Sequence, residues 1–64
     1  MGQIVNTLTK PTKIEVWNED GWWRWNAFFK DGSIEHSPEF YLSSRTAKAI
    51  ARLCYPDTFI LVFK

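Results

Sequence analysis

Trp22 to Gly32 reads WWRWNAFFKDG, and its alternation decides the fold. Successive side chains of a strand point to opposite faces, so Trp23, Trp25, Ala27 and Phe29 form one set and Trp22, Arg24, Asn26, Phe28 and Lys30 the other. The first set is wholly apolar and belongs to a core. Asp31-Gly32 closes the strand and predicts a two-residue type I′ hairpin, because that turn needs positive φ at both centres and this pair tolerates it. Upstream, from Lys13, Ile14 and Val16 alternate with Glu15 and Trp17 before Asn18-Glu19-Asp20-Gly21, whose polar residues and terminal glycine suit a reversing turn. Downstream, a third strand starts near Ser33, carries Ile34, and is interrupted by Pro38, which cannot donate to a ladder.

Beyond Tyr41 the period changes. Ala47, Ile50, Ala51 and Cys54 recur at helical spacing with Leu53 alongside, Ser43 or Ser44 can cap the start, and Pro56-Asp57 ends the helix. Cys54, on the apolar stripe, reads as a buried structural thiol. Arg45, Lys48 and Arg52 share the opposite face. Phe59 to Phe63 is an unbroken apolar run rich in strand formers, which predicts a final strand. The expected architecture is α+β: a small antiparallel sheet in the order β-β-β-α-β, with one amphipathic helix on one face. Residues 1–12 read as a flexible tail and 13–64 as a single domain.

Composition limits what such a domain does. At 64 residues the chain has room for one small core, and with 45% hydrophobic and 17% aromatic residues it is too apolar for disorder. Net charge is +1, but it is unevenly spread: +2 over residues 1–14, −4 over 15–40 and +3 over 41–64. One cysteine allows no internal disulfide and suits a reducing compartment. No run approaches a membrane span and no signal peptide is evident, so a cytoplasmic protein is expected. The lone histidine, His36, has no spaced nucleophile or metal partner, which argues against an enzyme and against any metal, cofactor or small-molecule substrate.

The second sheet face holds the candidate site. Trp17, Trp22 and Phe28 fall beside Arg24, Asn26 and Lys30, and large aromatics interleaved with Arg make a protein hot spot or a base-stacking platform, unless they cover the tail or one another. The closing run is apolar on both faces. Phe59, Leu61 and Phe63 are expected to fill the core, leaving Ile60 and Val62 to meet a partner or a second copy unless the aromatic group covers them. Arg45, Lys48 and Arg52 are candidate phosphate contacts.

The segment Trp23-Arg24-Trp25 through Asp31-Gly32, with Ser37, Tyr41, Ser43-Ser44 and Ala47-Lys48, resembles the YegP-like family of small bacterial domains, which implies a fold and no mechanism. Tyr41 through Ala47, Tyr55-Pro56 and Phe59 to Val62 resemble the short phage-encoded inhibitors of bacterial RNA polymerase, which implies a phage protein acting on a host complex. In topology the chain is also similar to the arm-binding domains of phage integrases. The leading expectation is a non-enzymatic binding protein, phage or mobile-element encoded, that docks on a host protein complex in the bacterial cytoplasm and inhibits or modulates it. The alternatives are a nucleic-acid-binding domain, using the aromatic and basic sheet face with the basic helix face, and a homo-oligomeric structural module.

Overall fold

The two-residue turn at Asp20-Gly21 builds the first hairpin of the computed structural model, which describes residues 10–63. Both turn residues have positive φ, 56° and 89°, and Glu19 pairs directly with Trp22. The Gly21 amide also donates to Asn18 Oδ1 at 3.1 Å. This primed geometry matches the twist of the strands it joins, β1 (Lys13–Glu19) and β2 (Trp22–Phe28).

Asp31-Gly32, expected to form the same two-residue turn, does not. Phe29 and Ser33 close the loop through a 2.9 Å backbone bond, so three residues lie between them, and only Gly32 has positive φ, at 94°. Asp31 is held otherwise: its Oδ1 accepts from the amide of Ser33 at 2.9 Å and from its hydroxyl at 2.7 Å. The side-chain bond first and the backbone bond second stabilise the carboxylate and lower the Asp31 pKa below its ordinary value. β3 (Ile34–His36) follows, antiparallel to β2.

The chain then crosses the sheet as α1 (Ser44–Cys54) and returns as β4 (Ile60–Val62). The sheet order is β3-β2-β1-β4, with β4 parallel to β1. The first three strands are antiparallel as expected, whereas the last is not, because a helical crossover between the two edges brings the chain back in its original direction. Ser43 caps α1, its Oγ accepting from the Thr46 amide at 3.1 Å.

The core lies between α1 and the sheet. Ile14 and Val16 from β1, Trp25 and Ala27 from β2, Tyr41, and Ala47 and Ala51 from the helix are all buried. The two alanines let the helix approach closely enough to cover Trp25, which is 1% exposed and the largest fully buried side chain. Truncating it would cost about 3 to 5 kcal/mol, a large share of a small domain's stability. Trp23 and Phe29 pack at the margin, as the alternation of β2 requires.

Three expectations fail here. Lys10 to Thr12 are not all tail: Pro11 is buried, and the Thr12 amide donates to the Phe28 carbonyl at 2.8 Å. The rest of the expected tail, residues 1–9, lies outside the described residues, as does Lys64. Cys54 is exposed, as is Leu53 at 77%. At the last residue of the helix, the place over the sheet is taken by Tyr55, whose ring meets Trp25 and Phe29 edge-on at 6.4 and 6.2 Å. Burial first, and the hydrogen bond its hydroxyl donates to Glu35 second, push the Tyr55 pKa up to about 12.

The third failure is the phase of β4. Ile60 pairs with Ile14 and Val62 with Val16, so both share the helix face with their partners, and Ile60 packs against the core. Of the three residues assigned to the core by sequence, Phe59 and Phe63 are exposed, and Leu61, paired with Glu15, lies on the side away from the helix. Five successive apolar residues carry no alternation to fix a face. The short turn after the helix fixes it instead, burying Thr58 and so sending Ile60 to the same side. No helix among the described residues is long and apolar enough to cross a membrane.

Candidate protein-binding face

The face opposite α1 carries Trp17 and the even-numbered residues of β2, and no element among the described residues crosses it. Its strongest feature begins with an irregularity in the backbone. Asn26 opposes His36, but Trp23 opposes Tyr41, so two more residues lie on the β3 side than on β2. Pro38 cannot supply a ladder amide, and the chain bulges around it. Ser37 repairs the gap. Its amide donates to the Trp25 carbonyl at 2.8 Å, its Oγ accepts from the Trp25 amide at 3.3 Å, and its hydroxyl donates to the Glu39 carbonyl at 2.9 Å. An even number of extra residues preserves the facing of Tyr41, which stays in the core, and leaves Phe40 on the open side.

Phe40 thereby completes a stack. The Arg24 guanidinium lies 5.4 Å from the Trp17 ring centre and 4.7 Å from that of Phe40, and Trp22 meets Phe40 at 6.5 Å in a tilted pair. Arg24 Nη1 donates to Glu19 Oε1 at 2.8 Å, while Nε is buried without a hydrogen-bond partner. A guanidinium between two rings gains from both quadrupoles, about 0.5 to 1 kcal/mol each where water still reaches. At the other end of the face, Lys13 Nζ lies 5.1 Å from the Phe28 ring centre and 3.1 Å from Glu15 Oε2. Between the two ends Asn26 Oδ1 and His36 Nδ1 lie 2.7 Å apart.

Sequence reasoning placed Trp17, Trp22, Arg24, Asn26 and Phe28 on one face, and they lie on it. It missed Phe40. The signal was present in part, since an inward Tyr41 next to it requires an outward neighbour, but the bulge made strand parity unreadable there. Lys30 stands exposed in the β2–β3 turn. Ile60 and Val62 do not join the aromatic group, because they face the helix side of the sheet. Arg45, Lys48 and Arg52 are exposed on the outer side of α1, and Arg52 Nη1 donates to the Pro56 carbonyl at 3.3 Å. With the helix between them and the sheet, these cations cannot act on one ligand together with the aromatic face.

No family model, curated protein or solved structure matches this chain. Its chemistry is therefore read from the side chains alone. Each cation of the open face already has a carboxylate beside it, Lys13 with Glu15 and Arg24 with Glu19. Phosphate binding relies on cations free to replace counterions, and these two pairs contribute no net charge to it. What the face offers is aromatic surface with exposed Trp22, Phe40 and Ile34. Large apolar area with Arg at its centre and charges held in pairs is the composition of a protein interface.

Proposed function

We propose that this chain is a non-enzymatic binding module that docks its open sheet face on a protein partner, with Trp17, Trp22, Arg24 and Phe40 at the centre of the contact. One observation carries the reading: an Arg held between two aromatic rings, its charge matched by Glu19, on a face that no described element crosses. Such an Arg is oriented before binding, which reduces the ordering cost of association. The resemblance of Tyr41 to Val62 to phage-encoded inhibitors supports a host protein complex in the bacterial cytoplasm as the partner, with inhibition or modulation as the result.

The test is comparative capture from bacterial lysate. Three baits are used side by side: the unaltered chain, a Trp22→Ala/Phe40→Ala variant, and an Arg45→Ala/Lys48→Ala/Arg52→Ala variant. A protein retained by the first and third baits and lost from the second is the expected result. A set of captured proteins identical for all three, or lost only with the helix variant, would refute the reading. Nuclease treatment of the lysate identifies capture that runs through nucleic acid.

A further inference from the structure

The two edges of the sheet are unequal. β3 is defended against pairing: it spans only Ile34–His36, carries Glu35 and His36, and runs into the bulge at Pro38. β4, at the other edge, is equally short, but among the described residues it carries no charged side chain and meets no proline or bulge. On its inner side the Phe59 carbonyl accepts from the Ile14 amide and the Phe63 amide donates to the Val16 carbonyl, both at 2.8 Å. The alternation of a parallel ladder then turns the N–H and C=O groups of Ile60 and Val62 outward, away from β1. Phe59 and Phe63 flank them, 64% and 47% exposed.

The order of side chains along this edge names its occupant. Phe59-Ile60-Leu61-Val62-Phe63 reads nearly the same in both directions: aromatic, β-branched, leucine, β-branched, aromatic. We propose that the edge pairs with β4 of a second copy, antiparallel about a two-fold axis at Leu61. In that register the outward groups of Ile60 meet those of the partner's Val62 and the reverse, which satisfies all of them. The positions between become the close, non-hydrogen-bonded pairs: Leu61 against the partner's Leu61, and Phe59 against the partner's Phe63 at each end.

The two-fold closes the assembly. Both β4 edges are consumed and only defended β3 edges remain, so a dimer forms and not a fibre. The resulting eight-stranded sheet carries two copies of the open face on one side. The hydrogen bonds of this dimer use backbone groups of the edge, which the proposed partner contact does not, while the side chains of Phe59, Leu61 and Phe63 project on the open side, as the pairing of Leu61 with Glu15 sets.

The test is sedimentation equilibrium of the full chain. A contact this short belongs with weak associations, so loading should run from about 10 µM to about 1 mM. The unaltered chain is expected to pass from monomer to dimer across that range. Phe59→Lys/Phe63→Lys sets like charges against each other in both end pairs and should weaken the dimer by about a hundredfold. Phe59→Glu/Phe63→Lys sets opposite charges there and should stay within about tenfold of the unaltered chain. Both alter exposed side chains, and circular dichroism verifies that they fold. Val62→Pro removes an amide that the intrachain ladder does not use and should also leave a monomer. A monomeric unaltered chain at the highest loading, equal association of the two charge variants, or a dimeric Val62→Pro would each overturn the proposal.

Discussion

Ser37→Ala tests the device that builds the candidate face. Ser37 is 7% exposed, and its hydroxyl serves two backbone groups at once, the Trp25 amide at 3.3 Å and the Glu39 carbonyl at 2.9 Å. Removing it leaves the Trp25 amide buried without an acceptor, and a buried unsatisfied donor costs about 1 to 3 kcal/mol. The Glu39 carbonyl lies nearer solvent and recovers most of its bond from water. The expected loss is about 2 kcal/mol, which for a domain of this size lowers Tm by roughly 8 to 16 °C. The bulge also holds Phe40 over Arg24, so the emission of Trp17 and Trp22 should shift in the folded variant. Urea unfolding followed by tryptophan emission measures the first effect, with Phe40→Ala as the comparison. Phe40 is about half exposed, and removing its ring should cost only about 1 kcal/mol or less while producing a similar emission change. A Ser37→Ala loss under about 0.5 kcal/mol, or one no larger than that of Phe40→Ala, would refute the account of the bulge.

Three further outcomes follow from single groups. Ser43→Ala should lower stability by about 1 kcal/mol in thermal melts while Ser43→Asp retains it, since a carboxylate also accepts the Thr46 amide and suits a helix N-terminus. Both tyrosines have raised pKa values: Tyr41 through burial, and Tyr55, at about 12, through burial and then Glu35. A phenol with its pKa raised by folding favours the protonated native state, so its contribution to stability is complete below pH 10 and is lost as pH climbs from 10 toward 12. Absorbance at 295 nm should accordingly show no tyrosine of the folded chain titrating at the ordinary value near 10. Cys54, exposed at the end of α1, should react with a thiol reagent in the native protein almost as fast as in urea, and strong native protection would contradict its position.

How far the fold was legible varies with how much each segment repeats its own instruction. β1 and β2 alternate over seven residues each, and with Ile14 opposite Ala27 and Val16 opposite Trp25 there is a single face that can be buried. The helix was equally plain because Ala47, Ile50 and Ala51 sit at its period. The two Asp-Gly pairs look alike in sequence yet behave differently. Ser33 supplies a hydroxyl and an amide that capture Asp31, and a side chain so engaged favours the wider turn, whereas Gly21 is followed at once by a strand residue paired to Glu19. The direction and phase of β4 were hidden for separate reasons. Direction belongs to the crossover, and phase belongs to a turn of three residues before a run with no polar member.

The candidate site divides in the same way. Trp17, Trp22, Arg24, Asn26 and Phe28 could be grouped because adjacent strands of a tight hairpin transmit parity from one to the other. Phe40 could not, since its place depends on the two extra residues that Ser37 and Pro38 accommodate. The charge pairs were also out of reach, because Lys13 with Glu15 and Arg24 with Glu19 are contacts whose value lies in what they remove. Read as a count, the second face offered Arg24 and Lys30 to a phosphate. Read as geometry, Arg24 is already neutralised and stacked, and Lys30 stands in a turn. This difference supports the proposed protein partner over nucleic acid: a guanidinium already paired with Glu19 adds little to a phosphate ladder, but flanked by Trp17 and Phe40 it contributes shape and apolar area without requiring a partner to discharge it.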